Sequence, residues 1–168
     1  FGRVDAMVTC AGIFAQTPAL RWDPPAVERI LRVNLEGVAL ATAAFGALMA
    51  RGRAGRIVHV ASAAALDGAA LAGAYAASKA GVVAMTQSHA RELADAGISV
   101  NAVLPGFIDT SMTAPNRAML ERFTVPRIPV RRLGNADEVA EVVEFLLTCR
   151  TTYLTGAAVV IDGGLHSG

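Results

Sequence analysis

Tyr75 and Lys79 are the residues of this 168-residue chain whose types and spacing most clearly suit chemistry. Residues four apart lie on the same face of a helix, so a phenol and an ammonium would be neighbours there. Ser62 lies 13 residues before Tyr75 and ends the apolar run 56–62, which is typical of a buried strand. The three groups can therefore meet where a strand ends and a helix begins. That set suits proton transfer to or from a carbonyl or an alcohol.

An acid/base role for Tyr75 requires a lower pKa than a free phenol has. A free phenol titrates near ~10, and lowering that pKa by ~3 units needs about 4 kcal/mol of stabilisation of the phenolate. An ammonium roughly 4 Å away supplies an interaction of that size at an effective dielectric constant of about 20. The start of a helix also favours an anion. We therefore expect Lys79 to acidify Tyr75; the alternative is an exposed Tyr–Lys pair on a helix surface.

Ser62 and Asn34 are the other polar candidates. No Gly-x-Ser-x-Gly sequence surrounds Ser62, which favours orientation of a bound oxygen over nucleophilic attack; a plain loop cap is the alternative. Asn34 lies inside a predicted helix, where its amide competes with the backbone for hydrogen bonds. It is either a tolerated, partly buried amide or a group that holds a water near Lys79 and extends a proton path.

The histidines and cysteines predict neither a metal site nor a disulfide framework. We find no ligand spacing to another histidine, a cysteine or a carboxylate at His59, His89 or His166. Cys10 and Cys149 are far apart in the sequence. We expect two reduced, mostly buried thiols in a cytoplasmic protein.

Composition favours a single globular domain. Apolar residues make up 54% and charged residues 17% of the chain, its mean hydropathy is +0.46 and its net charge is +1. The one basic cluster, Arg51, Arg53 and Arg56, lies beside two glycines and is typical of a solvated turn, so no nucleic-acid surface is predicted. The longest uncharged run, 37–50, is shorter than the roughly 20 residues that cross a bilayer. We therefore predict no membrane span.

Four apolar runs alternate with three helical patterns along the chain. We predict strands at 5–10, 57–61, 98–104 and 157–161, and helices at about 24–50, 74–96 and 136–149. Asp23 and Asn135 are the expected N-caps and Gly97 the expected C-cap, while 107–135 is predicted to be a partly helical excursion. This order predicts an α/β fold with a parallel sheet and helices on both faces. Ligands bind such sheets beyond the carboxyl ends of the strands, where residues 9–12, Ser62 and residues 105–110 would meet.

Several short motifs in order resemble the short-chain dehydrogenase/reductase family, especially its single-domain branch that includes 3-oxoacyl-acyl-carrier-protein reductases. The matching pieces are Thr-Cys-Ala-Gly at 9–12, Val-Asn-Leu at 33–35, Ser62, Tyr75 with Lys79, Pro-Gly-Phe-Ile-Asp-Thr at 105–110, Arg-Leu-Gly at 132–134, Asp-Glu-Val-Ala at 137–140, Thr-Gly at 155–156 and Asp-Gly-Gly at 162–164. The resemblance covers essentially the whole chain and implies a Rossmann-like doubly wound sheet.

The resemblance also implies roles and partners. It implies NAD or NADP as cofactor, a small-molecule carbonyl or alcohol as substrate, a homodimer or homotetramer, and a substrate lid at about 111–134. Tyr75 would be the general acid/base, Lys79 would lower its pKa and bind the nicotinamide ribose, Ser62 would orient the carbonyl, and Asn34 would complete the proton relay. The implied cofactor-binding residues are Ala11, Gly12, Asn34, Tyr75, Lys79, Pro105, Gly106, Ile108 and Thr110.

The chain also departs from the family pattern. Thr9 and Cys10 replace paired asparagines, and His59 and Ala61 stand where asparagine and serine are commoner. No Gly-x-x-x-Gly-x-Gly turn is present, and the chain enters a strand almost at once. We therefore expect residues 1–168 to be the C-terminal part of one domain that lacks its glycine-rich half, binds dinucleotide poorly alone and exposes its first strand as a sheet edge. The alternatives are a non-catalytic remnant, or a dehydratase or epimerase on the same fold.

Overall fold

Four parallel strands form the centre of the computed structural model, which describes residues 2–166. They are β1 (Ala6–Thr9), β2 (Gly55–Val60), β3 (Ile98–Pro105) and β4 (Ala158–Ile161), and they lie in the order β1-β2-β3-β4. All three strand pairs are parallel, with Thr9 opposite His59 and Val60 opposite Val103. The structure confirms the predicted sheet and each strand to within one or two residues.

Helices connect the strands and cover both faces of the sheet. They are α1 (Pro24–Leu31), α2 (Gly37–Gly52), α3 (Ala64–Asp67), α4 (Gly73–Leu93), α5 (Arg117–Phe123) and α6 (Ala136–Thr148). Met49 of α2 and Ala90 of α4 pack against Ile57 and Val100 on one face. Alternate strand residues, Val58 and Val103, pack against Leu146 of α6 on the other face. This two-sided burial is the doubly wound arrangement that the sequence predicts.

The long first helix is continuous over residues 24–52 but is not regular. A π-helical turn, Arg32–Glu36, lies between α1 and α2. Asp23 is the N-cap residue of α1, as predicted, but its carboxylate makes no capping hydrogen bond. Pro24 and Pro25 occupy the first turn and have no N–H groups to cap. An 18-residue window of this 29-residue helix has a mean hydropathy of 1.5, so the helix is long and apolar enough to cross a membrane by length and composition alone, although Ile30 and Met49 are buried in the protein core.

Other helix boundaries follow local signals. Asn135 accepts from the Glu138 N–H while Glu138 accepts from the Asn135 N–H, which confirms the predicted start of α6. Gly97 has φ 74°, which confirms it as the residue that ends the helical segment after α4. The excursion 107–135 contains α5 and two short 3₁₀ turns and is partly helical as predicted. The segment 63–74, which lies between a predicted strand and a predicted helix, contains the short helix α3.

β1 is an edge strand, and only part of it is buried. Of its four residues only Met7 is buried, and Val8 is 40% exposed. Cys10 directly after it is exposed and Cys149 is half-buried; both are free thiols. The first strand is therefore an exposed sheet edge, as expected, because β1 has a sheet neighbour on one side only. The expectation of buried thiols is wrong for Cys10.

His59 joins β1 and β2 from inside the core. Its Nδ1 lies 2.9 Å from the Thr9 hydroxyl, and its ring centroid lies 6.3 Å from that of His89 on α4. The imidazole is fully buried. Burial first, and then the neighbouring His89, lower its pKa from 6.5 to about 4. His59 is therefore neutral in the folded protein at physiological pH.

We expect this buried imidazole to make the full-length protein less stable in acid. Because the pKa is lowered on folding from 6.5 to about 4, the contribution is present above pH 6.5 and is lost as the pH falls towards 4. The loss through His59 is about 2 kcal/mol between pH ~7 and ~5. Urea unfolding of the wild type and of His59→Asn, which stays polar but does not titrate, measures it. An equal pH dependence in both proteins would contradict this assignment.

Candidate active site

Three strand ends meet at one edge of the sheet and carry the predicted site. Residues 10–12 follow β1, Ser62 follows β2 and Gly106 follows β3. Backbone hydrogen bonds join the segments: Ala63 N–H donates to the Pro105 carbonyl and Gly106 N–H to the Ile161 carbonyl, each at 2.9 Å. The parallel sheet therefore fixes these loops relative to one another before any ligand is considered.

α4 brings Tyr75 and Lys79 to this edge. Tyr75 lies in the first turn of α4, and the Ser62 hydroxyl is near enough to its phenol to lower the phenol pKa. The Lys79 Nζ donates to the Val60 carbonyl at 2.8 Å and lies 5.9 Å from the centroid of the Tyr75 ring. Phe14 packs edge-on against Tyr75 with centroids 5.3 Å apart. The predicted phenol, hydroxyl and ammonium are thus brought together, and an exposed surface pair is excluded because Lys79 is 4% exposed.

Burial sets the direction of both pKa values. It raises the pKa of Tyr75 above its ordinary value, and the Ser62 hydroxyl offsets this only in part. It lowers the pKa of Lys79, while the neighbouring Cys10 acts in the opposite direction. The predicted lowering of the phenol pKa by Lys79 and the start of the helix is not found in this structure. Stabilising the phenolate therefore requires more positive charge than the described residues of the protein supply.

Asn34 is a buried clamp between three segments. Its Oδ1 accepts from the Ile13 N–H at 2.8 Å, and its Nδ2 donates to the Ile13 carbonyl at 2.9 Å and to the Ser78 hydroxyl at 3.1 Å. Ser78 in turn donates to the Tyr75 carbonyl at 2.7 Å. The amide N–H groups thus bind protein groups, and a water held near Lys79 stays a prediction. The π-helical turn around Asn34 aims this amide at the strand-end loop and at α4.

Ser78 is a site residue that the sequence analysis missed. It is fully buried and connects the Asn34 amide to the backbone at Tyr75. Its position between Tyr75 and Lys79 was a signal in the sequence, because serine is not favoured inside a helix unless its side chain has a role there.

The predicted cofactor-binding residues lie along the same edge but differ in what they contact. A Cβ at Gly12 would lie 3.5 Å from the Lys79 Nζ and 3.6 Å from the Asn34 Oδ1, so glycine keeps the space before the ammonium open. A Cβ at Gly106 would lie 2.7 Å from that of Asp162, so glycine there permits close packing after β3. Ala11 is exposed and Pro105 is half-buried.

The loop after β3 is held by its own threonines and by the start of the α6 segment. Ile108 bridges to Gly134, and the Asp109 N–H donates to the Gly134 carbonyl at 2.9 Å. The Thr110 N–H donates to the Thr113 hydroxyl at 3.0 Å, and that hydroxyl donates to the Ile108 carbonyl at 2.7 Å. Ile108 and the exposed Thr110 are thereby held in a fixed loop beside the strand ends.

The hydrogen-bond donors of Lys79 show that this edge of the sheet can hold a cofactor. An ammonium has three N–H donors, and within residues 2–166 its one hydrogen-bond acceptor is the Val60 carbonyl. Two donors therefore remain for a ligand in the space that Gly12 leaves open, which suits hydroxyl groups such as those of a ribose. Over the same described range no group of three or more metal-ligating side chains occurs.

His166 is a second residue that the sequence analysis misjudged. It lies four residues after Asp162, and its ring contacts the carboxylates of both Asp162 and Asp67. The prediction concerned metal ligands, and it did not consider an ion pair between His166 and these carboxylates. The spacing to Asp162 was visible in the sequence, whereas the contact with Asp67 depends on the fold.

Comparison with known proteins gives the class of the chain. A family model described as enoyl-(acyl carrier protein) reductase matches residues 1–166. The 3-oxoacyl-[acyl-carrier-protein] reductase FabG of Thermotoga maritima is 41% identical over 165 residues, which are 98% of this chain and 67% of that protein. The (3R)-3-hydroxyacyl-CoA dehydrogenase of Canis lupus familiaris is 40% identical over 161 residues, covering 95% and 62% of the two chains.

A solved structure shows the same architecture. The gluconate 5-dehydrogenase of Burkholderia cenocepacia, in complex with NADP and tartrate, superposes with a TM-score of 0.96 at 28% identity, covering 99% of this chain and 66% of that one. The chain belongs to the short-chain dehydrogenase/reductase family and has its Rossmann-like fold. It spans about two thirds of the length of these relatives.

We expect Ser78→Ala to lower the free energy of unfolding of the full-length protein by about 1–2 kcal/mol, because one Asn34 N–H loses its partner in a buried site. Ser88→Ala, an exposed serine on the same helix, is the matched control and should change stability by less than about 0.5 kcal/mol. Chemical unfolding of both variants measures the difference. Equal stability of the two variants would refute the bridging role of Ser78.

Proposed function

We propose that residues 1–168 form the C-terminal, catalytic part of an NAD(P)(H)-dependent oxidoreductase that interconverts a carbonyl and a secondary alcohol. The meeting of Tyr75, Ser62 and a buried Lys79 at the carboxyl edge of a parallel sheet carries this proposal. The reductase and dehydrogenase relatives, and the NADP in the gluconate 5-dehydrogenase structure, support the cofactor class. In this proposal the glycine-rich half of the domain precedes the chain.

In the reductive direction the chain's residues would hold the carbonyl oxygen and protonate it. A bound reduced nicotinamide supplies the hydride to the carbonyl carbon. The Ser62 hydroxyl donates to the carbonyl oxygen, and the Tyr75 phenol transfers its proton to that oxygen as the C–O bond becomes single. Tyr75 is left as a phenolate and is reprotonated from solvent through the polar groups near Lys79. In the oxidative direction the same phenolate accepts the alcohol proton.

The buried phenol needs positive charge to reach its anionic form. The Lys79 ammonium stands nearest, and its two remaining donors are free among the described residues to bind a ligand hydroxyl. The positive charge of an oxidised nicotinamide would add to it. We therefore assign the acidification of Tyr75 to Lys79 together with the loaded cofactor site, and not to the protein alone.

Cofactor binding and turnover distinguish the proposed oxidoreductase from two rival interpretations. A non-catalytic remnant would bind neither NADH nor NADPH, so saturable quenching or enhancement of nicotinamide fluorescence argues against it. A dehydratase or epimerase would retain bound cofactor without net oxidation, so stoichiometric release of reduced nicotinamide with an alcohol substrate argues against that. The matching family model is described as an enoyl reductase, which suggests reduction of a carbon–carbon double bond. Comparing crotonyl-coenzyme A, which has such a bond, with acetoacetyl-coenzyme A, which has a ketone, distinguishes the two reactions.

We expect Tyr75→Phe to reduce the NADPH-dependent reduction of acetoacetyl-coenzyme A by the full-length protein about 10²–10⁴-fold in kcat, because the acid group is lost. NADPH binding, followed by fluorescence, should stay within about threefold because the ring remains; a threefold change is about 0.7 kcal/mol. The readout is the loss of nicotinamide absorbance.

Tyr153→Phe is the matched control for this experiment. Tyr153 is the other tyrosine of the chain and is 99% exposed. Its variant should turn over like the wild type. If Tyr75→Phe also retained wild-type kcat with acetoacetyl-coenzyme A, the acid/base assignment would be wrong.

The homo-oligomer predicted from the family resemblance has a candidate surface on α2. Leu40, Phe45 and Leu48 are 64%, 43% and 44% exposed, and they leave an apolar outer face on this helix. We propose that this face packs against a second copy of the protein. The lid at about 111–134 and the homodimeric or homotetrameric state belong to the same proposal.

We expect Leu40→Arg to lower the mass of the full-length protein in light scattering from an oligomer towards one protomer, because a charge would be buried in the contact. Leu20→Arg is the matched control, since Leu20 is 98% exposed on the loop before α1. Its mass should not change. A wild-type mass equal to one protomer would refute the proposed contact.

A further inference from the structure

The segment 63–74 connects Ser62 to the turn that carries Tyr75. Apart from Asp67 it consists of alanine, leucine and glycine, so it has few side chains with which to fix its own position. On one side Thr17 holds it: the Thr17 N–H donates to the Leu71 carbonyl at 2.7 Å, and the Thr17 hydroxyl accepts from the Ala74 N–H at 3.1 Å. The other side is held through Asp67.

His166 provides that second attachment. Its Nε2 lies 2.9 Å from the Asp67 Oδ1, and its Nδ1 lies 2.6 Å from the Asp162 Oδ2. Asp162 follows β4 directly, whereas Asp67 ends α3. The imidazole therefore joins the end of the last strand to the segment between two of the proposed catalytic side chains. Within residues 2–166, these two carboxylates are the charged groups that the ring contacts.

Both contacts together require a particular protonation state. A neutral imidazole has one N–H donor and one lone pair, and an ionised carboxylate is an acceptor only. If one ring nitrogen had no proton, its lone pair would face a lone pair of a carboxylate oxygen, and the two would repel each other. Only the imidazolium, with protons on both nitrogens, satisfies Asp67 and Asp162 at once.

The Asp162 side of the contact is rigid. Its side chain is 6% exposed, and its carboxylate also accepts from the N–H groups of Gly164 at 2.9 Å and of His166 at 2.9 Å. Burial acts to raise the pKa of Asp162, but these hydrogen bonds outweigh burial and hold it below its ordinary value. The Asp67 side chain is 65% exposed. Loss of a proton from the ring therefore releases Asp67 and not Asp162.

We propose that His166 is a positioning residue that, when protonated, latches the segment 63–74 in place and thereby sets the wall of the carbonyl-binding site between Ser62 and Tyr75. This function for the latch rests on the proposed oxidoreductase activity, whereas the latch itself does not. In the closed latch the imidazolium binds both carboxylates. Its closure lowers the KM for the carbonyl substrate without changing the chemistry of Tyr75.

Three variants of the full-length protein separate charge from structure. His166→Gln retains a polar side chain without a titratable charge, Asp67→Asn removes the mobile partner, and His166→Arg carries a permanent charge with several donors. Asp95→Asn is the matched control, because Asp95 is an exposed carboxylate in the turn after α4. Hydrogen exchange of the amides of residues 64–74 is measured at the same pH for every variant, together with the KM and kcat for acetoacetyl-coenzyme A.

The latch predicts that His166→Gln and Asp67→Asn exchange these amides about tenfold faster than the wild type and raise the KM several-fold without changing kcat. Asp95→Asn should match the wild type. His166→Arg should keep slow exchange and a low KM, because its charge and donors replace those of the imidazolium. Wild-type exchange rates in both His166→Gln and Asp67→Asn would overturn the latch. If exchange follows the prediction but acetoacetyl-coenzyme A is not reduced, the proposed activity fails and the latch stands.

Discussion

The site depends on one buried contact, the hydrogen bond from the Lys79 ammonium to the carbonyl of Val60. Burying an ammonium is unfavourable unless its donors are satisfied, and within the described residues this carbonyl accounts for only one of them. The contact fixes α4 against the end of β2 and so brings Tyr75 to Ser62. It also leaves two donors directed at the space that Gly12 keeps open. Fold stability and ligand binding are thus coupled through a single side chain.

Other buried polar groups near Lys79 also hold the strand ends and α4 in place. Asn34 ties the loop after β1 to α4 through Ser78, and the Thr9–His59 contact ties the ends of β1 and β2. Thr9 and His59 are both departures from the family pattern, and they are hydrogen-bonded to each other. The Thr9 hydroxyl and the His59 Nδ1 are therefore partners of each other, whereas the buried His59 Nε2 has no hydrogen-bond partner among the described residues.

Local signals in the sequence predicted most of the fold. Apolar runs marked the four strands, Asn135 and Gly97 marked helix ends, and the spacing of Tyr75 and Lys79 placed both at one edge of the sheet. The π-helical turn at Arg32–Glu36 was not predicted, because it has no distinctive residue pattern. The contact of His166 with Asp67, nearly a hundred positions apart, was beyond spacing rules because it exists only once β4 and α3 meet.

The most direct test of the central claim is the ionisation of the Tyr75 phenol, followed as the difference in phenolate absorbance between the full-length wild type and Tyr75→Phe. Burial raises the pKa of this phenol in the protein alone. The account predicts that saturating NADP⁺ moves the ionisation well below the ordinary phenol value of about 10, and that Lys79→Met abolishes this shift. An ionisation unchanged by NADP⁺, or one that falls equally in Lys79→Met, would contradict it.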